Sequence, residues 1–263
     1  MKSRKWLKFI LLPIIFAIAP NQSVLNAKSP DKIYEKSDFV CQVLGRRVLI
    51  GKNTRGKTES LSIFFRASCF AAEFKDKTYI LTNAHVVQIP PEEKILQEIN
   101  SFLVKISTDS KIQWEKLKSV KQTLTVVFKN DPQGFQAAGA EFPDEEKDLA
   151  ILKLKNAETQ KKIGAGKLGD PKKIKTGDFL MIIGNPAGFQ FFFSAGYISQ
   201  IERVNNHLYI YSTAPVWGGN SGSPALNENG KIIGMAKGYF MDNSAVSIII
   251  HLKEIIDYLE QIP

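Results

Sequence analysis

The chain has 263 residues, of which 44% are hydrophobic and 23% are charged. This composition excludes an intrinsically disordered chain and provides enough apolar side chains for one large domain or two small ones. The formal net charge is +9, but the lysines are scattered and do not form one basic stripe with interleaved aromatic residues, so we expect no nucleic acid as a partner.

Residues 1–27 have the pattern of a secretory signal peptide. Basic residues from Lys2 to Lys8 precede an apolar run, and Ala27 is a suitable last residue before cleavage. The alternative is a retained membrane anchor, but this run is interrupted by Pro13 and is shorter than the roughly 20 residues that span a bilayer. We therefore expect a periplasmic or secreted protein with no stable membrane span after signal removal. Four of the 35 basic residues and none of the 26 acidic residues lie in the signal. The mature protein therefore has 31 basic and 26 acidic residues, a formal net charge of +5.

A polar lead-in, 28–38, is followed by short segments rich in Val, Ile, Tyr, Phe and Thr, separated by Gly, Pro, Asn and Asp. This pattern predicts an all-β fold with minor helices, built as antiparallel barrels or sandwiches. The polar, glycine-rich stretch 155–178 divides the strands into two sets. We therefore predict a first β-barrel over 39–154 and a second β-barrel with a C-terminal helix over 155–263, together one domain.

Two segments have helical spacing of their apolar residues. The first is an insertion over 90–106, and the second is the C-terminal stretch 251–262. Both apolar faces are expected to pack on the barrels, although the first helix is also suited to act as a lid or a partner surface.

The two cysteines, Cys41 and Cys69, leave two alternatives open. Export permits a disulfide, which would stabilise the fold by about 3 to 4 kcal/mol in the chain-entropy model. Two buried free thiols explain the same sequence.

Ser221 stands in the glycine-rich stretch GGNSGSP, which is typical either of a turn or of a nucleophile loop. A serine nucleophile needs a histidine base, which in turn works best beside a carboxylate. Of the three histidines, His85 ends an apolar strand and suits a cleft, whereas His207 and His251 are explained as solvated or capping residues. Asp148 has the same strand parity as the buried residues that follow it, so we expect it to point inward.

An oxyanion formed by attack of Ser221 needs hydrogen-bond donors. The glycines before Ser221 allow the N–H groups of Gly219 and Ser221 to converge on one point. The order His, Asp, Ser also excludes an α/β-hydrolase, in which the serine comes first.

With these motifs the chain resembles the chymotrypsin-like serine proteases, especially the HtrA/Deg and glutamyl-endopeptidase branches. YILTNAHVV is similar to the histidine motif, DLAILKL to the aspartate motif and GGNSGSP to the serine motif, and the likeness extends over 39–260. It implies two six-stranded barrels, His85 as general base, Asp148 as its orienting acid and Ser221 as nucleophile. Deg-type enzymes usually carry a PDZ domain after the protease domain, and none follows the C-terminal helix here, so we expect no PDZ-dependent regulation.

The resemblance also implies a substrate pocket. Its members are Pro215, Val216, Trp217 and Ala236, which carry no charge, so we expect cleavage after small or medium aliphatic residues. Lys237 neighbours Ala236, and alternation along the strand is expected to point it to the opposite side.

These features favour an exported serine endopeptidase that acts on proteins or peptides without a metal or other cofactor. The alternative is a catalytically silent binding module with a protease fold. The oligomeric state is left open.

Overall fold

The computed structural model describes residues 29–106, 113–240 and 243–263. The predicted signal peptide, 1–27, lies outside these residues. Within them the chain forms thirteen β-strands in two sheets, with helices before, between and after them. The predicted all-β fold with minor helices is therefore confirmed.

The first sheet closes into a six-stranded barrel because its two end strands also pair with each other. The strand order is β1-β4-β5-β6-β3-β2, and the two-residue strand β7 (Gly166–Lys167) adds to β2 in parallel. The six strands are β1 (Val40–Asn53), β2 (Thr58–Phe74), β3 (Lys77–Thr82), β4 (Trp114–Phe128), β5 (Asp131–Asp144) and β6 (Leu149–Leu154).

The second sheet is a closed barrel in the order β10-β13-β12-β11-β8-β9. Its strands are β8 (Phe179–Gly184), β9 (Phe192–Val204), β10 (His207–Ser212), β11 (Pro224–Leu226), β12 (Ile232–Phe240) and β13 (Asn243–His251). Side chains alternate along β8, so Leu180 and Ile182 enter the interior of this barrel, whereas Met181 and Ile183 join the hydrophobic cluster shared with the first barrel. The two barrels therefore pack against each other through a common apolar interface.

Five α-helices complete the described fold: α1 (Pro30–Glu35), α2 (Ala84–Val87), α3 (Glu92–Ile106), α4 (Ala157–Lys161) and α5 (Leu252–Glu260). The insertion forms α3, whose Ile95 and Ile99 pack against Leu49 and Trp114 beside the first barrel. The C-terminal helix begins after His251, whose side chain accepts a hydrogen bond from the Lys253 N–H and caps the helix. Among the described residues, no helix is both long and apolar enough to cross a membrane.

Cys41 and Cys69 form a disulfide between β1 and β2. The two residues are directly opposite in the strand register, and their Cα atoms are 4.8 Å apart, a separation that a disulfide can bridge. Of the two alternatives for these cysteines, the structure contains the bridged pair.

Candidate active site

His85 and Asp148 meet because of the strand order of the first barrel. His85 lies on α2, directly after β3, and Asp148 lies in the turn directly before β6. The strands β3 and β6 are antiparallel neighbours, so the end of one and the start of the other share an edge of the sheet. This edge faces the second barrel's loop 213–223, which contains Ser221.

The imidazole of His85 is held by Asp148. Its Nδ1 lies 2.9 Å from both Oδ1 and Oδ2 of the carboxylate, and the backbone N–H of His85 donates to Oδ1 at 3.0 Å. A carboxylate only accepts, so in the neutral ring the proton lies on Nδ1 and Nε2 is the acceptor. The Asp148 side chain is 8% exposed and that of His85 is 49% exposed. A buried carboxylate therefore orients an imidazole that is open to solvent.

The local conformations differ from those expected of strand residues. His85 is part of a one-turn helix, since β3 already ends at Thr82. Asp148 has φ +60°, in the left-handed region, and the side-chain amide of Asn83 donates to its carbonyl at 3.0 Å. Asp148 points inward, as predicted, but its position results from this turn. Strand parity does not explain it, because both faces of β6 are buried over its first four residues. Non-glycine residues with such strain are concentrated at functional sites.

Backbone geometry shapes the loop around Ser221. Gly219 has φ +103° and Gly222 has φ +88°. A Cβ atom on Gly219 would overlap the carbonyl of Asn185, and one on Gly222 would overlap the carbonyl of Ser68. Glycine is therefore required at both positions.

Ser68, on β2 of the first barrel, ties this loop down. Its N–H donates to the Ser221 carbonyl and its Oγ donates to the Gly219 carbonyl, both at 2.8 Å. Asn185 donates to Ser68 Oγ through both its backbone N–H and its side chain, at 2.9 and 3.1 Å. Sequence analysis missed Ser68 and Asn185, since neither belongs to a motif with chemistry of its own.

The N–H groups of Gly219 and Ser221 are available to a ligand. Within the described part of the chain neither donates a hydrogen bond, although the neighbouring N–H groups of Asn220 and Gly222 donate to Trp217 and Ala236. Two unpaired N–H groups beside a serine hydroxyl can bind a developing oxyanion.

The Ser221 hydroxyl donates to the carbonyl of Lys237 at 3.2 Å. No hydrogen bond joins it to His85 among the described residues. Lys237 sits at a β-bulge of β12, and its ammonium lies 3.7 Å from Asp148 Oδ2. As expected from alternation along the strand, Lys237 points away from Ala236, which is buried in the second barrel. Sequence analysis missed that Asp148 lies on the side to which Lys237 points.

The four residues of the predicted pocket have different environments. Val216 and Ala236 are each 1% exposed and belong to the core of the second barrel. The Pro215 carbonyl accepts a hydrogen bond from Ser194 Oγ at 2.9 Å. Trp217 is 44% exposed and makes an edge contact with the ring of Phe192. Their role as a substrate pocket stays a prediction.

The other two histidines have structural partners. His207 was expected to be solvated, but its side chain is only 12% exposed and binds Glu254 at 3.0 Å and Glu146 at 3.2 Å. The hydrogen bond to Glu254 raises the pKa of His207, whereas burial lowers the pKa of His251 at the start of α5. His85 is thus the histidine that opens to solvent, and a cavity of about 400 Å³ lies beside it, between α2 and the start of α3.

Comparison with known proteins gives the family. The trypsin-like peptidase domain matches residues 67–235. A probable periplasmic serine endoprotease, DegP-like, from Pseudomonas putida (strain W619) is 27% identical over 161 residues, 60% of this chain and 26% of that protein. The periplasmic pH-dependent serine endoprotease DegQ from Escherichia coli (strain K12) is 32% identical over 97 residues, 35% of this chain and 21% of that protein.

Similar solved structures include the HtrA-type protease AlgW with a tripeptide, with a TM-score of 0.61 and 19% identity. The match covers 89% of this chain and 63% of that one, and it shows a common fold. The chain spans about a quarter of the length of the curated relatives it matches. Since the family match covers more than half of the chain and includes all three motifs, the chain belongs to the trypsin-like peptidases, with DegP-like proteins among its relatives.

Proposed function

We propose that this chain is a serine endopeptidase that hydrolyses protein or peptide substrates through an acyl-enzyme on Ser221. The observation that carries the proposal is the double contact between His85 Nδ1 and the Asp148 carboxylate at 2.9 Å. It supplies an oriented base with a free Nε2 at the edge that faces the nucleophile loop.

In the proposed reaction the Ser221 hydroxyl turns from the Lys237 carbonyl to His85 Nε2. Ser221 Oγ attacks the scissile carbonyl as its proton passes to Nε2, and Asp148 stabilises the imidazolium that forms. The N–H groups of Gly219 and Ser221 bind the oxyanion. His85 then gives the proton to the leaving amine, and a water activated by His85 hydrolyses the acyl-enzyme.

Export is part of the proposal. It is supported by the signal pattern over 1–27 and by the word periplasmic in the names of the relatives. The disulfide between Cys41 and Cys69 agrees with an oxidising compartment.

For specificity we propose cleavage after small or medium aliphatic residues. Pro215, Val216 and Ala236 provide no counter-charge for Lys, Arg or Glu in a substrate, and Trp217 favours the smaller side chains. Each methylene discriminates by about 1 to 3 kcal/mol, so the preference is broad. A peptide-library digest dominated by cleavage after Arg, Lys or Glu would contradict this part of the proposal and leave the nucleophile assignment intact.

Labelling by a fluorophosphonate tests the activity directly. We expect the mature protein to be labelled, Ser221→Ala to lose the label, and Ser223→Ala, a buried serine two residues away, to retain it. Folded wild-type protein that is not labelled would favour the silent binding module, and labelling that survives Ser221→Ala would move the nucleophile elsewhere.

A further inference from the structure

We propose that Lys237 is a positioning residue of this active site, whose ammonium acts on His85 through the Asp148 carboxylate. The inference rests on the proposed function, because it concerns the base of that reaction. It assigns a role to a side chain that no motif of the sequence singled out.

Lys237 and His85 share one oxygen of Asp148. Oδ2 lies 2.9 Å from His85 Nδ1 and 3.7 Å from Lys237 Nζ. The Lys237 ammonium also lies 5.4 Å from the centre of the Tyr209 ring, a cation–π contact from the second barrel. Only 33% of the Lys237 side chain is exposed. The contacts with Asp148 and Tyr209 hold the ammonium beside the carboxylate.

The contact at 3.7 Å is longer than a hydrogen bond, so Lys237 acts by its charge. A cation beside Asp148 favours the ionised carboxylate, which orients the imidazole. The same cation opposes a second positive charge on His85, because it offsets part of the attraction between the carboxylate and an imidazolium. Lys237 therefore favours the neutral, basic form of His85, and the enzyme retains activity at lower pH.

The other titratable groups around His85 and Asp148 are the same in every Lys237 variant. Glu145 and Lys94 line the cavity next to His85 with opposite charges, and Tyr209 is the titratable group behind Lys237. None of them is changed by substitution of Lys237.

Substitution of Lys237 isolates its side chain. Ser221 Oγ donates to the Lys237 backbone carbonyl, a contact that every amino acid at this position provides. A change in activity on substitution therefore comes from the lost ammonium, provided that the β-bulge is retained.

The test compares Lys237→Met, which keeps length and removes charge, with Lys237→Arg, which keeps charge. Lys153→Met is the matched control, because Lys153 forms an ion pair with Glu141 on the exposed surface of the first barrel. For each protein, kcat and KM for a peptide substrate and the rate of fluorophosphonate inactivation are measured from pH 5 to pH 9.

For Lys237→Met we expect the acid limb of both pH profiles to move to higher pH by about half a unit, with KM changed less than twofold. Lys237→Arg should restore the wild-type midpoint, and Lys153→Met should not differ from wild type. The inference is overturned if Lys237→Met has the wild-type profile, or if Lys237→Arg moves as far as Lys237→Met. If Lys237→Met does not fold, the arginine variant and Lys237→Gln decide by the same comparison.

The failure of this inference is distinguishable from failure of the proposed function. Wild-type protein that reacts with the fluorophosphonate but shows no effect of Lys237 contradicts only the positioning role. Wild-type protein that does not react contradicts both.

Discussion

The two halves of the proposed active site are built in different ways. In the first barrel, side chains form the base half, since the Asp148 carboxylate binds both the ring and the backbone N–H of His85. In the second barrel, the nucleophile half depends on backbone conformation, with positive φ at Gly219 and Gly222. Ser68 joins the halves, because it belongs to the first barrel but binds the loop of the second.

The two halves are therefore sensitive to different changes. The base half is sensitive to the chemistry of one side chain, even when its shape is preserved. The nucleophile half is sensitive to added volume, even when no functional group changes, because the first barrel leaves no room for a side chain at Gly222. Matched substitutions in each half test this distinction.

Asp148→Asn should cause the greatest loss of activity. The amide has nearly the shape of the carboxylate but cannot accept on both atoms, so it no longer fixes the ring or stabilises an imidazolium. We expect kcat to fall by about 10⁴-fold, the size typical of this substitution in a Ser-His-Asp triad. Peptide hydrolysis measures the loss, and circular dichroism checks that the fold is retained.

Asp144→Asn is the control for that change. Asp144 is the last residue of β5, directly before the same turn, and binds Lys147, so its loss should alter kcat by less than about threefold. Near-wild-type activity of Asp148→Asn would place the acid elsewhere and remove the basis for the distinction between the halves.

Gly222→Ala tests the nucleophile half without altering any functional group. The new methyl group overlaps the Ser68 carbonyl, and the residue keeps an unfavourable φ of +88°. The loop must shift, and a displacement of about 1 Å at a reacting atom lowers activity by about 100-fold. We expect a loss of this size in kcat/KM for a peptide substrate.

Gly218→Ala is the matched control in the same loop, since a Cβ atom there meets no neighbour within 4 Å. Its activity should stay within about threefold of wild type. Equal losses in the two alanine variants would show that the loop requires flexibility rather than free volume at Gly222.

The sequence indicated those parts of the candidate site in which the proposed chemistry requires a particular residue type. His85 and Asp148 were expected to act together, and the structure brings them into contact. Ser221 and the flanking glycines were recognisable because the proposed nucleophile loop needs them. The strand-rich pattern predicted the fold for a similar reason, since buried strands require recurring apolar residues.

The rest depends on contacts between distant residues. Ser68 binds a carbonyl 151 positions away, and nothing in its own neighbourhood indicates this partner. Lys237 reaches Asp148 from a β-bulge, which alternation along a strand does not predict. Helix α1 was missed because six residues are too few to show a helical period.

His207 also joins the two barrels, near the base half, and its substitution should change activity less than the changes at Asp148 and Gly222. Its Nδ1 faces Glu254 of α5, and its Nε2 faces Glu146, two residues before Asp148. Both partners only accept hydrogen bonds, so the protonated ring satisfies both, and the hydrogen bond to Glu254 raises the pKa of His207. Protonated His207 therefore stabilises the folded state.

The sign of the pH dependence follows from this shift. A histidine whose pKa is higher in the folded state contributes its full stability below the unfolded pKa of about 6.5, and loses it as pH rises through the folded pKa. The pKa of His251 is shifted in the opposite direction, so His251 changes the stability only as the pH falls below about 6.5. The range from pH 7 to pH 9 therefore isolates the contribution of His207.

We expect the free energy of unfolding of the wild type to decrease by about 1 kcal/mol from pH 7 to pH 9 relative to His207→Gln. Urea unfolding at several pH values measures the difference, and kcat/KM should change less than about threefold, because His207 touches neither His85 nor Ser221. Parallel pH profiles for the two proteins would show that the His207 contacts do not stabilise the junction. A large loss of activity would instead show that the position of the Asp148 turn depends on its link to the second barrel, and the base half would then need both barrels, as the nucleophile half does.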